Sequence, residues 1–260
     1  MLALGWTPRE VLDRMAASAS ALHPPVWHTL VTMGGLLAPA YRVESVRSWL
    51  EGVFGTKTLH DLPRRVVVTA YDMAAGRSVL HHNLAPAPPG MPRETVVEIL
   101  LRSCAAPVLM PLHRRHMDGA IFAPNPAAHA SLLCQSVLGV PAHSLRVLSV
   151  GTLTQPRSVP SRDRAGALWF LLHPRAVVHH VYRSLLRSTE LLMDSLVGPA
   201  RWRRVEIHIP RSALRRVDSR RGLERLRAAG WDMRLPGEWI AREFCAGGRT
   251  STPPSGANIF

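Results

Sequence analysis

The chain has 260 residues, 47% of them hydrophobic and 19% charged, which excludes an intrinsically disordered protein and allows a substantial buried core. It carries 32 Lys+Arg against 18 Asp+Glu, an excess that favours an anionic partner such as a phospholipid surface, an acidic protein or nucleic acid. The N-terminus contains Pro8, Arg9 and Glu10 before any apolar run, so we expect no signal peptide.

The N-terminal half predicts helices on either side of a pair of strands. Thr7-Pro8 with Glu10 is typical of a capped helix start, and we expect this helix to run through about Ala17. The β-branched run in Arg64–Asp72 predicts a strand that is buried on both faces. The other predicted elements of this half are a helix over Val43–Phe54 ended by Gly55, a strand over Arg77–His82, a loop over Pro86–Pro92 and a helix over Glu94–Cys104.

The C-terminal half continues the alternation of strands and helices. Its predicted helices are Ala127–Leu138, Ala176–Leu196 and Ser219–Ala229, and its predicted strands are Leu145–Gly151 and Arg203–Pro210. The segment from Ala246 is rich in Gly, Ser and Pro, which predicts a disordered tail. Strands separated by helices predict an α/β sandwich with a largely parallel sheet.

The spacing of the arginines, cysteines and histidines does not indicate a cofactor site. Eleven Arg and four acids lie between Arg201 and Arg234, which indicates either a solvated basic face or a binding patch. Three cysteines, Cys104, Cys134 and Cys245, are far apart and lack a Cys-x-x-Cys pair, as in a reduced cytoplasmic protein. His113-x-x-His116 has no further ligand at a recognisable spacing, so we predict no metal and no cofactor.

The stretch "HMDGAIFAPNPAAHA", residues 116–130, places one carboxylate beside two small residues. Asp118 is followed by Gly119 and Ala120, and Asn125-Pro126 opens the next predicted helix. Taken alone, this composition is typical of a surface turn before a capped helix. The small residues would also allow a substrate or a partner side chain to approach the carboxylate closely.

This stretch resembles the DG(G/A) motif of the patatin-like phospholipases, in which an aspartate and two small residues precede an Asn-Pro pair. Three more segments resemble that family in the same order: "LHDLPRRVVVTAYDMAAGRSVL", "LLRSCAAPVLMPL" and "VLSVGT". The resemblance implies a three-layer α/β/α sandwich with a mostly parallel sheet, incomplete at its N-terminus, over residues 1–245, followed by the tail 246–260.

The resemblance also implies a Ser–Asp dyad that cleaves acyl esters of lipids, with Asp118 as the base. Gly119, Ala120, Asn125 and Pro126 would support this residue. The family's serine lies in a G-x-S-x-G elbow, a motif that is absent from these 260 residues. "MLALGWTPREVL" resembles the family's sequence just after the elbow, so we expect the chain to lack the nucleophile segment and to be inactive without it.

Two alternatives remain open from the sequence. Ser78, Ser103 or Ser149 could substitute for the serine, although none has the elbow sequence. The chain could also be a catalytically inactive protein of the same fold that binds lipid or a protein partner. A lipid or acyl-ester substrate, peripheral contact with an anionic membrane surface and a cytoplasmic location are expected. Nucleic-acid binding is disfavoured because no nucleic-acid-binding motif accompanies the charge, and the sequence indicates neither the particular ester nor the oligomeric state.

Overall fold

The computed structural model describes residues 1–22, 38–86, 94–107, 109–151, 174–206 and 237–245. The helices are α1 (Pro8–Leu22), α2 (Val43–Phe54), α3 (Val96–Ser103), α4 (Ala127–Leu138), α5 (Pro174–Leu196) and α6 (Gly237–Ile240). The strands are β1 (Val67–Asp72), β2 (Arg77–His82), β3 (His116–Asp118), β4 (Val147–Gly151) and β5 (Trp202–Glu206). The predicted helix Ser219–Ala229, the predicted tail and most of the predicted loop Pro86–Pro92 lie outside the described residues.

Local sequence signals set the ends of the helices. Glu10 accepts a hydrogen bond from the Thr7 backbone N–H at 2.7 Å, and the Thr7 hydroxyl accepts one from the Glu10 N–H at 3.3 Å, which forms the predicted capping box. Gly139 ends α4 in the left-handed conformation, with φ 66° and ψ 17°. The predicted bounds of the helices Val43–Phe54 and Ala127–Leu138 are confirmed.

The described strands form two sheets. In the first, β1 lies between β2 and β3 and is antiparallel to both, with Val67 opposite His82 and Ala70 opposite Asp118. In the second, β4 and β5 pair in parallel. The α/β class is therefore confirmed, whereas the parallel pairing is confined to β4 and β5 among the described strands. The four-residue turn between β1 and β2 permits only antiparallel pairing, because a parallel pair needs a long crossover.

Two apolar clusters form the core. The first joins α2 and α3 to the turn before β1, through Leu50, Phe54, Leu59, Leu62, Val96, Val97, Ile99 and Leu101. The second joins α4, α5 and β5, through Ala127, Ala128, Cys134, Leu145, Met193, Val197 and Trp202. The segment that carries Asp118 connects α3 of the first cluster to α4 of the second, so both cores fix its ends.

The two described cysteines differ in exposure. Cys134 fills the second cluster as expected for a buried thiol, whereas Cys104, at the end of α3, is exposed. Within the described ranges, every helix is too short or too polar to cross a membrane.

Candidate functional site

Asp118 is the last residue of β3 and caps the short 3₁₀ turn Gly119–Ile121. Its backbone N–H donates to the carbonyl of Ala105 at 3.0 Å, and its Oδ1 accepts a hydrogen bond from the Ala120 N–H at 2.8 Å. The sequence predicts a loop here, because a strand of three residues leaves no periodic pattern. One carboxylate oxygen of Asp118 is thereby held by its own turn.

The Asp118 carboxylate lies in a half-buried position. Burial raises its pKa above the ordinary value, and the hydrogen bond from Ala120 offsets part of that increase. Among the described residues, no cation is paired with this carboxylate. Asp118 therefore binds a proton more readily than an exposed aspartate does.

Gly119 packs directly on the central strand of the first sheet. A Cβ atom at this position would lie 2.2 Å from Oγ1 and 2.5 Å from the backbone carbonyl carbon of Thr69. The sequence attributes the small size of Gly119 to substrate access, which stays a prediction, and the structure adds a packing reason for glycine at this position. The space that a side chain would fill belongs to β1, so the glycine sets the distance between the Asp118 turn and the sheet.

A strained hairpin precedes Asp118. Arg114 and Arg115 form its tip with φ values of 48° and 61°, which non-glycine residues rarely adopt. The backbones of His113 and His116 exchange hydrogen bonds of 3.2 and 2.9 Å, and the Arg115 carbonyl accepts from the Met73 N–H at 3.0 Å. The hairpin therefore fixes the start of β3 against the end of β1.

A charge cluster around Glu98 holds this hairpin to α3 and to α2. The carboxylate of Glu98 lies 2.7 Å from Nη1 of Arg47, 2.7 Å from Nε2 of His113 and 3.2 Å from Nε of Arg114. Burial alone raises the pKa of Glu98, but the hydrogen bonds and charges of these partners outweigh it and lower the pKa to about 2. No sequence spacing indicates this cluster, since its members come from three separate segments.

The two histidines of the hairpin each face a carboxylate. His113 contacts Glu98, and Nε2 of His116 lies 3.9 Å from Oδ2 of Asp72. In the part of the chain that the structure describes, no three or more metal-ligating side chains come together. The two histidines of the His113-x-x-His116 spacing thus contact carboxylates on α3 and β1.

Asn125 is buried at the start of α4 and binds both the helix and the second sheet. It is 2% exposed, and its Oδ1 accepts hydrogen bonds from the Ala127 N–H at 3.2 Å and from the Ser149 hydroxyl at 3.0 Å. Pro126 is the N-terminal cap residue of α4, where its missing N–H is not needed. The predicted helix start at Asn125-Pro126 is confirmed.

The three serines considered as substitutes for an elbow serine lie apart in the fold. Ser78 is exposed on β2, and Ser103 is the last residue of α3. Ser149 is buried on β4, where its hydroxyl donates to Asn125 and accepts from Nη1 of Arg204 at 2.8 Å. The Ser149 hydroxyl is thus enclosed and already engaged as both donor and acceptor.

The described residues form an α/β fold in which Asp118 ends a short strand. The family described as patatin-like phospholipase matches residues 1–131 of the chain, and the chain belongs to this family. The matched part includes Asp118, Gly119, Ala120, Asn125 and Pro126.

Two curated relatives are similar over a larger part of the chain. "Putative sporulation hydrolase CotR" of Bacillus subtilis is 29% identical over 64% of this chain and 51% of its own length. "Protein teg" of Priestia megaterium is 28% identical over 74% of this chain and 60% of its own length. The matched part thus spans between half and two thirds of these relatives.

Proposed function

We propose that this chain contributes the base of a Ser–Asp dyad in a lipid acyl hydrolase, and that Asp118 is that base. Membership of the patatin-like phospholipase family supports lipid hydrolysis at the level of the family. The single observation that carries the proposal is the state of Asp118: a half-buried carboxylate with a raised pKa, one oxygen held by Ala120 and no paired cation among the described residues.

In this proposal the reaction has two steps. The serine hydroxyl attacks the ester carbonyl while its proton moves to the Asp118 carboxylate, which forms an acyl-enzyme and releases the alcohol after proton return. Water then attacks the acyl-enzyme with the same carboxylate as base, and the fatty acid leaves. The hydrogen bond from Ala120 to Oδ1 keeps the carboxylate in one rotamer, so that Oδ2 is the oxygen that receives the proton.

The supporting residues have separate roles in this proposal. Gly119 allows the turn to lie against Thr69, and Ala120 supplies the N–H that orients the carboxylate. Asn125 ties the end of the turn to β4, and Pro126 precedes the first turn of α4. These residues position Asp118, whereas Asp118 alone among them would exchange a proton with the substrate-bound serine.

The nucleophile is the first point to test, because the printed sequence contains no G-x-S-x-G. We expect the 260-residue chain to leave nitrophenyl esters intact and to remain unlabelled by a fluorophosphonate probe. Strong labelling would reveal a reactive serine within these 260 residues. Translation of the DNA upstream of Met1 in frame then decides whether an elbow serine is available to Asp118.

The role of Asp118 is tested in a protein that includes such a serine and hydrolyses esters. Asp118→Asn should lower turnover by about 10²- to 10⁴-fold, the range contributed by a positioned general base. Glu44→Gln is the matched control and should keep turnover, because it makes a carboxylate-to-amide change in an exposed side chain at the start of α2. Retained turnover in Asp118→Asn would remove Asp118 as the base.

A second candidate function is a catalytically inactive member of the family that binds lipid at a membrane surface. The formal net charge of +14 favours it. It is tested by sedimentation of the 260-residue chain with vesicles of neutral lipid alone or with added anionic lipid. Salt-sensitive binding to the anionic vesicles alone is expected, and equal binding to both kinds would contradict peripheral electrostatic contact.

A further inference from the structure

A buried chain of hydrogen bonds runs from the Asp118 segment to the second sheet. Asn125 accepts from Ser149, Ser149 accepts from Nη1 of Arg204 at 2.8 Å, and Nε of Arg204 donates to Oε1 of Glu206 at 2.8 Å. The side chain of Arg204 is 8% exposed, and Ser149 is 7% exposed. We call these four residues the Asn125–Glu206 network.

The network is built into the backbone of the parallel pair β4–β5. Ser149 and Arg204 are register partners across the two strands. A Cβ atom at Gly151 would lie 2.6 Å from Nη2 of Arg204 and 3.0 Å from Cγ of Glu206. Gly151 therefore provides the space in which the guanidinium lies. Since a charge inside a protein is strongly destabilising unless it is paired and hydrogen-bonded, the guanidinium is stable here only with these partners in place.

The network reaches the neighbourhood of Asp118 from two sides. Along the chain, Asn125 follows Asp118 by seven residues, and the turn between them is fixed at its other end by the contact of Gly119 with Thr69. Across the fold, burial raises the pKa of Tyr182 on α5. The charge of Arg204 lowers this pKa, and the charges of Glu206 and Asp118 raise it. Tyr182 is thus within electrostatic range of both the network and Asp118.

We propose that Ser149, Arg204 and Glu206 are positioning residues for Asp118, which act through Asn125 to hold the 118–126 segment against the edge of the β4–β5 sheet. This inference rests on the proposed function, since it assigns a purpose to the position of the carboxylate. The three residues do not touch Asp118. They set its depth of burial, and with it the affinity of its carboxylate for a proton.

The test measures Asp118 directly and needs no turnover. In the full 260-residue chain labelled with ¹³C, the carboxyl carbon of Asp118 is titrated by NMR in the wild type and in Ser149→Ala. Loss of the hydroxyl removes the bond from β4 to Asn125 and admits water to the segment, so the pKa of Asp118 should fall toward its ordinary value. Ser136→Ala, an exposed hydroxyl on α4, is the matched control and should leave the titration unchanged.

Two further variants separate positioning from general loss of stability. Gly151→Ala removes no polar group but displaces the Arg204 guanidinium, and it should lower the pKa of Asp118 in the same direction. Glu206→Gln keeps the shape of a side chain that is 24% exposed, so it is the mildest change and remains informative if the others unfold. An unchanged Asp118 titration in any folded variant of these three overturns the proposal.

In an ester-hydrolysing form of the protein, Ser149→Ala should lower kcat with little change in KM, because the substrate contacts remain. The two proposals fail in different ways. Intact turnover in Asp118→Asn removes the base but leaves the titration result standing, whereas an unchanged titration in Ser149→Ala removes the positioning residues and leaves the base in place.

Discussion

Two carboxylates at opposite ends of one chain segment have opposite surroundings. Glu98 faces Arg47, His113 and Arg114, and its pKa is lowered to about 2. Asp118 is half-buried with a single backbone hydrogen bond, and its pKa is raised. The contrast shows how one fold makes one carboxylate a permanent anion that ties elements together and another a group that can accept a proton.

The two carboxylates are mechanically connected. Glu98 binds the hairpin at His113 and Arg114, and β3 leads from this hairpin to Asp118. The ionised group thus supports the strand that presents the proton-accepting group. A substitution at Glu98 should therefore change mainly the stability of the protein. A substitution near Asp118 should change mainly the affinity of that carboxylate for a proton.

The largest effect on stability is expected where the Asp118 turn meets the sheet. Gly119→Ala forces a Cβ into the backbone of Thr69, so the turn or β1 must move, and we expect a loss of about 3 kcal/mol or more in the free energy of unfolding. Denaturant unfolding measures it. Gly52→Ala is the matched control on α2, where nothing lies within 4 Å, and it should stabilise the protein by about 1 kcal/mol. A neutral Gly119→Ala would contradict the close packing.

Removing the charge of Glu98 should cost about 2 kcal/mol, because charge-assisted hydrogen bonds are lost from a site that is mostly buried. The pKa of Glu98 is lowered by folding, so its ionised form stabilises the protein above its ordinary pKa of 4.5 and this contribution is lost as the pH falls toward about 2. The difference in stability between wild type and Glu98→Gln should therefore reach its largest value by pH 6 and be small near pH 2. Urea unfolding at several pH values measures it, and a constant difference would contradict the assignment.

A substitution in the strained hairpin should have a smaller effect on the free energy of unfolding, and this effect is an increase. Arg115 has φ 61°, a conformation that costs a residue with a side chain about 1 kcal/mol or more and costs glycine nothing. Arg115→Gly should raise the free energy of unfolding by up to about 1 kcal/mol. Arg77→Gly, at an exposed strand position with ordinary backbone, is the control and should destabilise. Destabilisation by Arg115→Gly would show that the turn is not strained.

The smallest expected effect concerns the cost of ionising Asp118. Folding raises its pKa, so the ionised form is penalised in the folded state. This penalty is absent below the ordinary pKa of 3.8 and grows as the pH rises through the folded value. Asp118→Asn should therefore increase Tm slightly at pH 7 and leave it unchanged near pH 3. A lower Tm at pH 7 would indicate that the charge stabilises the fold.

Much of the fold follows from local sequence signals, and the surroundings of the site do not. Capping at Thr7, the stop at Gly55 and the β-branched run before Asp72 predict their elements because each acts over a few residues. The motif around Asp118 is likewise recognised from the sequence, because its residues are close together in the chain. The antiparallel strand β3, the Glu98 cluster and the Asn125–Glu206 network arise from contacts between distant segments, and no spacing within the chain encodes them. For the same reason, the need for glycine at position 119 is visible only once Thr69 is placed beside it.

The most direct measurement is the titration of both carboxylates in one ¹³C-labelled sample of the 260-residue chain. We expect the carboxyl carbon of Glu98 to titrate near pH 2 and that of Asp118 to titrate above its ordinary value of 3.8. A pKa of Asp118 at or below that value would contradict the central claim, because the residue would then be an ordinary surface acid and not the proton acceptor of a dyad.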